Sequence, residues 1–388
     1  MRFGIDVFLL DPPGDLLKKR WGLLSNQASL NKEGYYSKDL LWGKFQNNLV
    51  CLLSPQHGFW GTEQDNMIET PDSRDPATGL PIYSLYSQTR RPTAGMLESI
   101  DVLLIDLQDV GTRVYTFITT LAYCLQEARK YNKEVVVLDR PNPIGGTQVE
   151  GNILQPALTS FVGVYPLPMR HGLTMGELAR LFNREMKIEA DLRIIPLEGW
   201  SRSWYVDQID SPWIPPSPNM PALSTALVYP GQVLLEGTNL SEGRGTTRPF
   251  EIFGAPFLAP SEISTFLQDT PLPGVGLIEL AFRPTFQKWQ GQECRGFFLW
   301  VYDRVAYKPY RTSLTVLRAI RRLYPKDFQW KSPPYEYETE HWPIDLLIGN
   351  REIRQALEAG VPIIELEASW QDELNGFMDL RKQYLIYG

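Results

Sequence analysis

The sequence predicts an α/β protein, a Rossmann-like parallel-sheet N-terminal domain followed by a smaller α+β C-terminal domain. Three observations predict it. In the first 150 residues, short fully apolar runs alternate with helix-spaced ones, the texture of a parallel sheet covered on both faces. From about residue 165 the chain becomes rich in Pro, Gly, Asn and Trp, then returns to two strand-like and three helical runs. No internal repeat and no linker-like stretch separates the two textures. The boundary is therefore drawn between 1–164 and 165–388, with a large shared interface expected.

The elements follow in order. The apolar run Gly4–Leu10 lacks a basic start and a small-residue cleavage site, so it reads as a strand and not as a signal peptide. Trp21–Ser25 reads as a strand, residues 34–45 as a helix, Leu49–Ser54 as a second strand and Asp101–Asp106 as a third. Phe117, Leu121, Leu125 and Ala128 recur at helical spacing within Thr116–Tyr131, and Glu134–Asp139 follows as a fourth strand. Thr174 and Glu177 form a capping box that starts a helix reaching Asn183, and Asp191–Pro196 is strand-like. Residues 199–260 read as long functional loops. Strands over Val275–Phe282 and Gly296–Tyr302 precede helices over 310–324, 350–359 and 370–386.

Composition narrows the function. In 388 residues, 38 Lys and Arg stand against 45 Asp and Glu, a formal charge of −7 with no basic stripe, which excludes a nucleic-acid partner held by its phosphates. With 43% hydrophobic and 21% charged residues the chain is globular and not disordered. Three cysteines cannot all pair, and Cys51 and Cys124 lie in apolar runs, so buried reduced thiols are expected. No run of 18 apolar residues exists, which leaves no membrane span and a cytoplasmic setting as the expectation.

Ligands of open parallel sheets bind beyond the carboxyl ends of the strands. Those ends carry Asn26, then Gln56 and His57, then Asp106, Asp109, Arg113 and Tyr115, then Arg140 and Asn142. Each alone reads equally well as a cap; their joint placement favours a site. No Gly-x-Gly-x-x-Gly follows the first strand, no phosphate loop and no Gly-x-Ser-x-Gly elbow occurs, and His57, His171 and His341 lie in three separate regions. No metal and no organic cofactor is therefore expected. Carboxylates, amides and hydrogen bonds remain, a chemistry that suits sugars. The loop after the second strand offers Glu63 and Asp65 beside Phe59 and Trp60. The segment 236–251 adds Glu236, Asn239, Glu242, Arg244, Arg248 and Glu251, whose arginines suit an acidic sugar, while Asn219 in a Pro-rich stretch walls the cleft.

Six motifs then add up to a family. Ser54-Pro-Gln-His-Gly58, Asp106-Leu-Gln-Asp-Val-Gly-Thr-Arg113, Leu138-Asp-Arg-Pro-Asn-Pro143, Arg170-His-Gly-Leu-Thr174, Pro216-Ser-Pro-Asn-Met-Pro221 and Glu236-Gly-Thr-Asn-Leu-Ser-Glu-Gly-Arg-Gly-Thr-Thr-Arg-Pro249 resemble the NamZ (YbbC-like) family across essentially the whole chain. The resemblance implies an exo-β-N-acetylmuramidase that removes N-acetylmuramic acid (MurNAc) from the non-reducing end of peptidoglycan fragments, without metal or organic cofactor, in a cleft between two domains. Arg113, Arg170, Arg244 and Arg248 become candidates to pair with the lactyl carboxylate of MurNAc, and His171 joins the binding set. One departure stands out. The family places Glu, its favoured acid, where this chain has Gln56, and an amide has no proton to give. The expectation is that Glu63 or Asp65 takes the acid role, with His57, Asp106 and Asp109 orienting substrate or water; the alternatives are a different acidic sugar substrate, or a non-catalytic muropeptide-binding homologue.

Overall fold

The computed structural model describes residues 1–65 and 67–388. Seven strands form the large sheet: β1 (Trp21–Leu24), β2 (Leu49–Ser54), β3 (Ser73–Arg74), β4 (Pro81–Ser84), β5 (Val102–Ile105), β6 (Glu134–Leu138) and β7 (Leu192–Ile195). Their spatial order is β3-β4-β2-β1-β5-β6-β7, parallel throughout except where β3 meets β4. The side chains alternate strictly between two cores. Leu103 and Ile105 of β5 face one, with Val135 and Val137 of β6, while Val102, Leu104 and Val136 face the other. Both faces are dry, which is why these strands carry no polar alternation.

Helices Phe117–Lys130 and Met175–Glu185 cover the first face, the latter started by the reciprocal Thr174–Glu177 cap. Helices Gly4–Leu10 and Ser37–Phe45 cover the second. The first of these corrects the strand expected there. Asp6 accepts the Phe3 amide at 2.8 Å and closes a helical turn, and Ile5 and Phe8, three residues apart, bury one face against β6 and Trp21. Phe8 meets Trp21 edge-on at 5.5 Å, a pair worth about 1 kcal/mol beyond its buried area. An apolar run of seven residues does not by itself separate strand from helix.

A second, antiparallel sheet joins β8 (Ile252–Ala255), β9 (Val275–Phe282) and β10 (Cys294–Val301) in the order β8-β10-β9. The stretch read as loop from 199 to 260 thus contains strand β8, and also a helix, Leu223–Gln232. Pro230 and Gly231 argue against a helix by propensity, but eight of its ten residues are buried, and packing on helix Pro309–Leu323 overrides that preference. Three helices, Pro343–Ile348, Arg351–Ala359 and Ile363–Arg381, close the chain. The last begins and ends earlier than its apolar spacing suggested, because Pro362 caps its start and Tyr384 and Tyr387 must leave it to reach Glu185 and Asp139. Among the described residues, no helix is long and apolar enough to cross a membrane.

Candidate active site

Strand β2 ends at Ser54, and three residues later the chain turns through the left-handed region at His57 (φ 73°) and Gly58 (φ 78°). Such a φ is costly for a non-glycine residue, about 1–3 kcal/mol, and is held where the surroundings over-determine it. Here they do. Gln56 is 4% exposed; its Oε1 accepts the Thr116 hydroxyl at 2.6 Å, and its Nε2 donates to Glu336 Oε1 at 3.2 Å. His57 Nδ1 lies 2.7 Å from the Glu63 carbonyl, which can only accept, so Nδ1 carries the hydrogen. Burial pushes the His57 pKa down to about 4, so the ring is neutral at pH 7.

Gln56, His57 and Thr116 line a narrow cavity together with Tyr115, Ser217, Asn219, Tyr229, Glu236, Arg244, Phe250, Tyr335 and Glu336. A wider cavity adjoins it, sharing Glu236 and Tyr335 as walls and adding Asp65, Asn239, Glu242, Lys288 and Trp330. Segments 56–65 and 236–251 therefore face each other, and Arg244 and Asn219 both donate to the Gln64 carbonyl, at 3.3 and 2.6 Å.

Two carboxylates stand in the narrow cavity in unlike surroundings. Glu236 is buried, which would raise its pKa. The adjacent Arg244 charge, with hydrogen bonds from Tyr335 (2.6 Å) and Arg244 (2.7 Å), outweighs that and holds it below the usual range. Glu336 is equally buried but has no direct cationic partner among the described residues. Burial and the charge of Glu236 push its pKa up, against hydrogen bonds from Tyr86 (2.6 Å) and Gln56 and the weaker pull of Arg244. Paired carboxyl groups with pKa values driven apart are the usual arrangement for acid and base in one site. Arg244 is presented by left-handed glycines on either side, Gly243 (φ 78°) and Gly245 (φ 77°), where a Cβ would lie 2.7 Å from the Ile252 and Phe286 carbonyls. Its guanidinium lies over the Phe250 ring at 5.1 Å and also pairs with Glu242 at 3.3 Å.

Other expected site residues are committed elsewhere. Arg113 is wholly buried and donates to four carbonyls, of Asn152, Leu167, Leu347 and Ile348, at 2.7–3.1 Å. Arg140 pairs with Asp106, which also accepts from Ser37. Asp109 accepts the Gly111 amide at 2.6 Å and stands 3.2 Å from His171 Nε2. Asn142 bonds Leu173 and Ile144, Arg170 bonds Gln148 and Ile144, and Asn26 holds the Pro216 carbonyl at 2.9 Å. Arg248, 56% exposed, pairs with Glu251 at 3.0 Å and lies over the Phe298 ring at 5.2 Å. None of these lines either cavity. Asn239 and Glu242 wall the wider one, Glu242 paired with Lys288 at 2.9 Å. The expected acids are also placed differently. Glu63 offers His57 its carbonyl and is absent from both walls, and Asp65 lies on the wider cavity, bonded by Gln287.

The chain matches two family models end to end: "Exo-beta-N-acetylmuramidase NamZ, N-terminal" over residues 21–224 and "Exo-beta-N-acetylmuramidase NamZ, C-terminal" over 227–387. It belongs to the NamZ family. A Bacillus subtilis (strain 168) relative, peptidoglycan beta-N-acetylmuramidase NamZ, is 44% identical over 384 residues, covering 99% of this chain and 91% of that protein. Two crystal structures of DUF1343 family proteins from Bacteroides fragilis NCTC 9343 share the fold. One has a TM-score of 0.87 at 31% identity, covering 100% of this chain and 99% of the other. The second has a TM-score of 0.77 at 28% identity, covering 100% and 98%. Within this NamZ chain, sequence reasoning missed Glu336, Tyr335, Tyr86, Tyr229 and Thr116. The available signal was Pro333-Pro-Tyr-Glu-Tyr337, a carboxylate between two aromatics in rigid chain, 280 positions from the Gln56 it contacts.

Proposed function

We propose that the protein is an exo-acting glycoside hydrolase that releases MurNAc from the non-reducing end of peptidoglycan fragments, with the narrow cavity as its catalytic centre. The observation that carries the reading is the pair Glu236 and Glu336, buried in one cavity and driven in opposite pKa directions, in a chain of the NamZ family. Glycoside hydrolysis needs a proton for the departing oxygen and a charged group near the anomeric carbon, where positive charge develops. Glu236 is ionised and suits the second task. Tyr115, Tyr229 and Tyr335 keep their protons because burial raises their pKa values well above the ordinary one; Tyr335 donates its hydrogen bond to Glu236, and Tyr115 and Tyr229 act as hydrogen-bond donors to sugar oxygens. Arg244 is the guanidinium of the cavity wall and the group suited to the lactyl carboxylate. The wider cavity, with Trp330 and Lys288, gives room for the rest of the fragment. Three buried free cysteines go with a reducing, cytoplasmic site of action.

Incubation with MurNAc-GlcNAc and chromatography for free MurNAc tests this. Release of MurNAc with the fragment shortened only from that end is the expected result. Calorimetric binding without release over a day would favour instead a muropeptide-binding homologue, a reading motivated by the amide at Gln56.

A further inference from the structure

We propose that Glu336, from the C-terminal part of the chain, protonates the leaving oxygen, the task that position 56 cannot perform here. The inference rests on the hydrolytic reading above and adds a residue to it. The Gln56 side chain is pinned between Thr116 and Glu336, so the Glu336 carboxyl lies one hydrogen bond from where a carboxyl at position 56 would sit. Both residues line the narrow cavity, and Glu336 is 6% exposed.

The surrounding bonds admit either protonation state. With Glu336 ionised, Gln56 Nε2 and the Tyr86 hydroxyl donate to it. With Glu336 protonated, the Gln56 amide turned over accepts its proton at Oε1 and donates from Nε2 to the Thr116 oxygen, since a hydroxyl serves either way. The charged and titratable groups acting on Glu336 are Tyr86, Glu236 and Arg244, with Tyr229 and Tyr335 also facing it. In the step itself the bond from the MurNAc anomeric carbon to the leaving oxygen breaks as the Glu336 proton moves to that oxygen. Water then supplies hydroxide to the anomeric carbon, and its remaining proton restores Glu336.

The test compares two substrates. MurNAc-GlcNAc has a poor leaving group that needs a proton; a dinitrophenyl β-glycoside of MurNAc leaves without one. Glu336→Gln is expected to lower the disaccharide rate by about 10²–10⁴-fold, to lower the aryl glycoside rate by less than about tenfold, and to abolish the alkaline limb of kcat/KM. An undiminished disaccharide rate, or equal loss on both substrates, overturns the assignment while leaving the hydrolytic reading intact. If the unaltered protein cleaves neither substrate, that reading falls and this one with it. Should Glu336→Gln fail to fold, Gln56→Glu decides: a second carboxyl beside Glu336 must share its proton and move the alkaline limb to higher pH, and an unmoved limb refutes the proposal.

Discussion

The polar rim at the strand ends and the loops that descend on it from the C-terminal half are equally rich in charge, yet they do different work. On the rim, Arg113, Arg140, Arg170, Asp106 and Asp109 are turned toward carbonyls and each other, joining segments distant in sequence. Among the described residues, the end of β2 and the segment after β5 are the parts of this rim that deliver polar side chains to the cavity. Across the gap, Glu236, Arg244, Tyr335 and Glu336 are just as buried but face a hollow. A dense set of polar residues at strand ends is therefore a scaffold wherever backbone carbonyls lie within its reach, and a site only where they do not.

The difference can be tested by removing one arginine from each side. Arg244→Met should have the largest effect. It leaves Glu236 and Glu242 buried beside a lost cation, so activity falls more than about 100-fold and stability drops by about 3–5 kcal/mol in urea unfolding. Arg113→Met should lower stability by a similar 3–5 kcal/mol, since four buried carbonyls lose a donor, while kcat per folded molecule stays within about threefold. A collapse of kcat alone would move Arg113 from scaffold to site. The pH profile is the next discriminator. Glu336 is held protonated above the ordinary glutamic acid range, so kcat/KM should fall on the alkaline side only above that range. Glu236 is held ionised, so the acid-side fall should lie below it. A single-limbed profile would contradict the pairing. The smallest effect is expected from Arg248→Ala, an exposed pair worth under about 1 kcal/mol, with KM changed less than about twofold.

Much of this was readable in advance. Strands β1, β2, β5 and β6 announced themselves because both faces are buried and the runs are continuously apolar. The capping box at Thr174 marked a helix start because its hydrogen bonds are local. Leu223–Gln232 was not legible because its helicity is imposed by partners remote in sequence, and Gly4–Leu10 because so short an apolar run fits strand and helix alike, its Asp6–Phe3 bond notwithstanding. The site divides in the same way. Gln56, His57, Asn219, Glu236 and Arg244 lie in motifs dense enough to draw notice. Glu336 belongs to no strand end, and its meaning appears only when the chain brings it against Gln56.

That contact has a consequence for biosynthesis. Gln56 and Glu336 are separated by 280 positions, and contacts of such long range form late, after the loop they close has been ordered. The seven strands, all within residues 21–195, emerge from the ribosome while the hollow beside them still lacks its proton donor. A nascent or prematurely terminated chain ending before residue 336 would thus carry every strand of that layer but neither the proton donor nor the Leu347 and Ile348 carbonyls that hold Arg113, so catalytic competence arrives only near the end of translation.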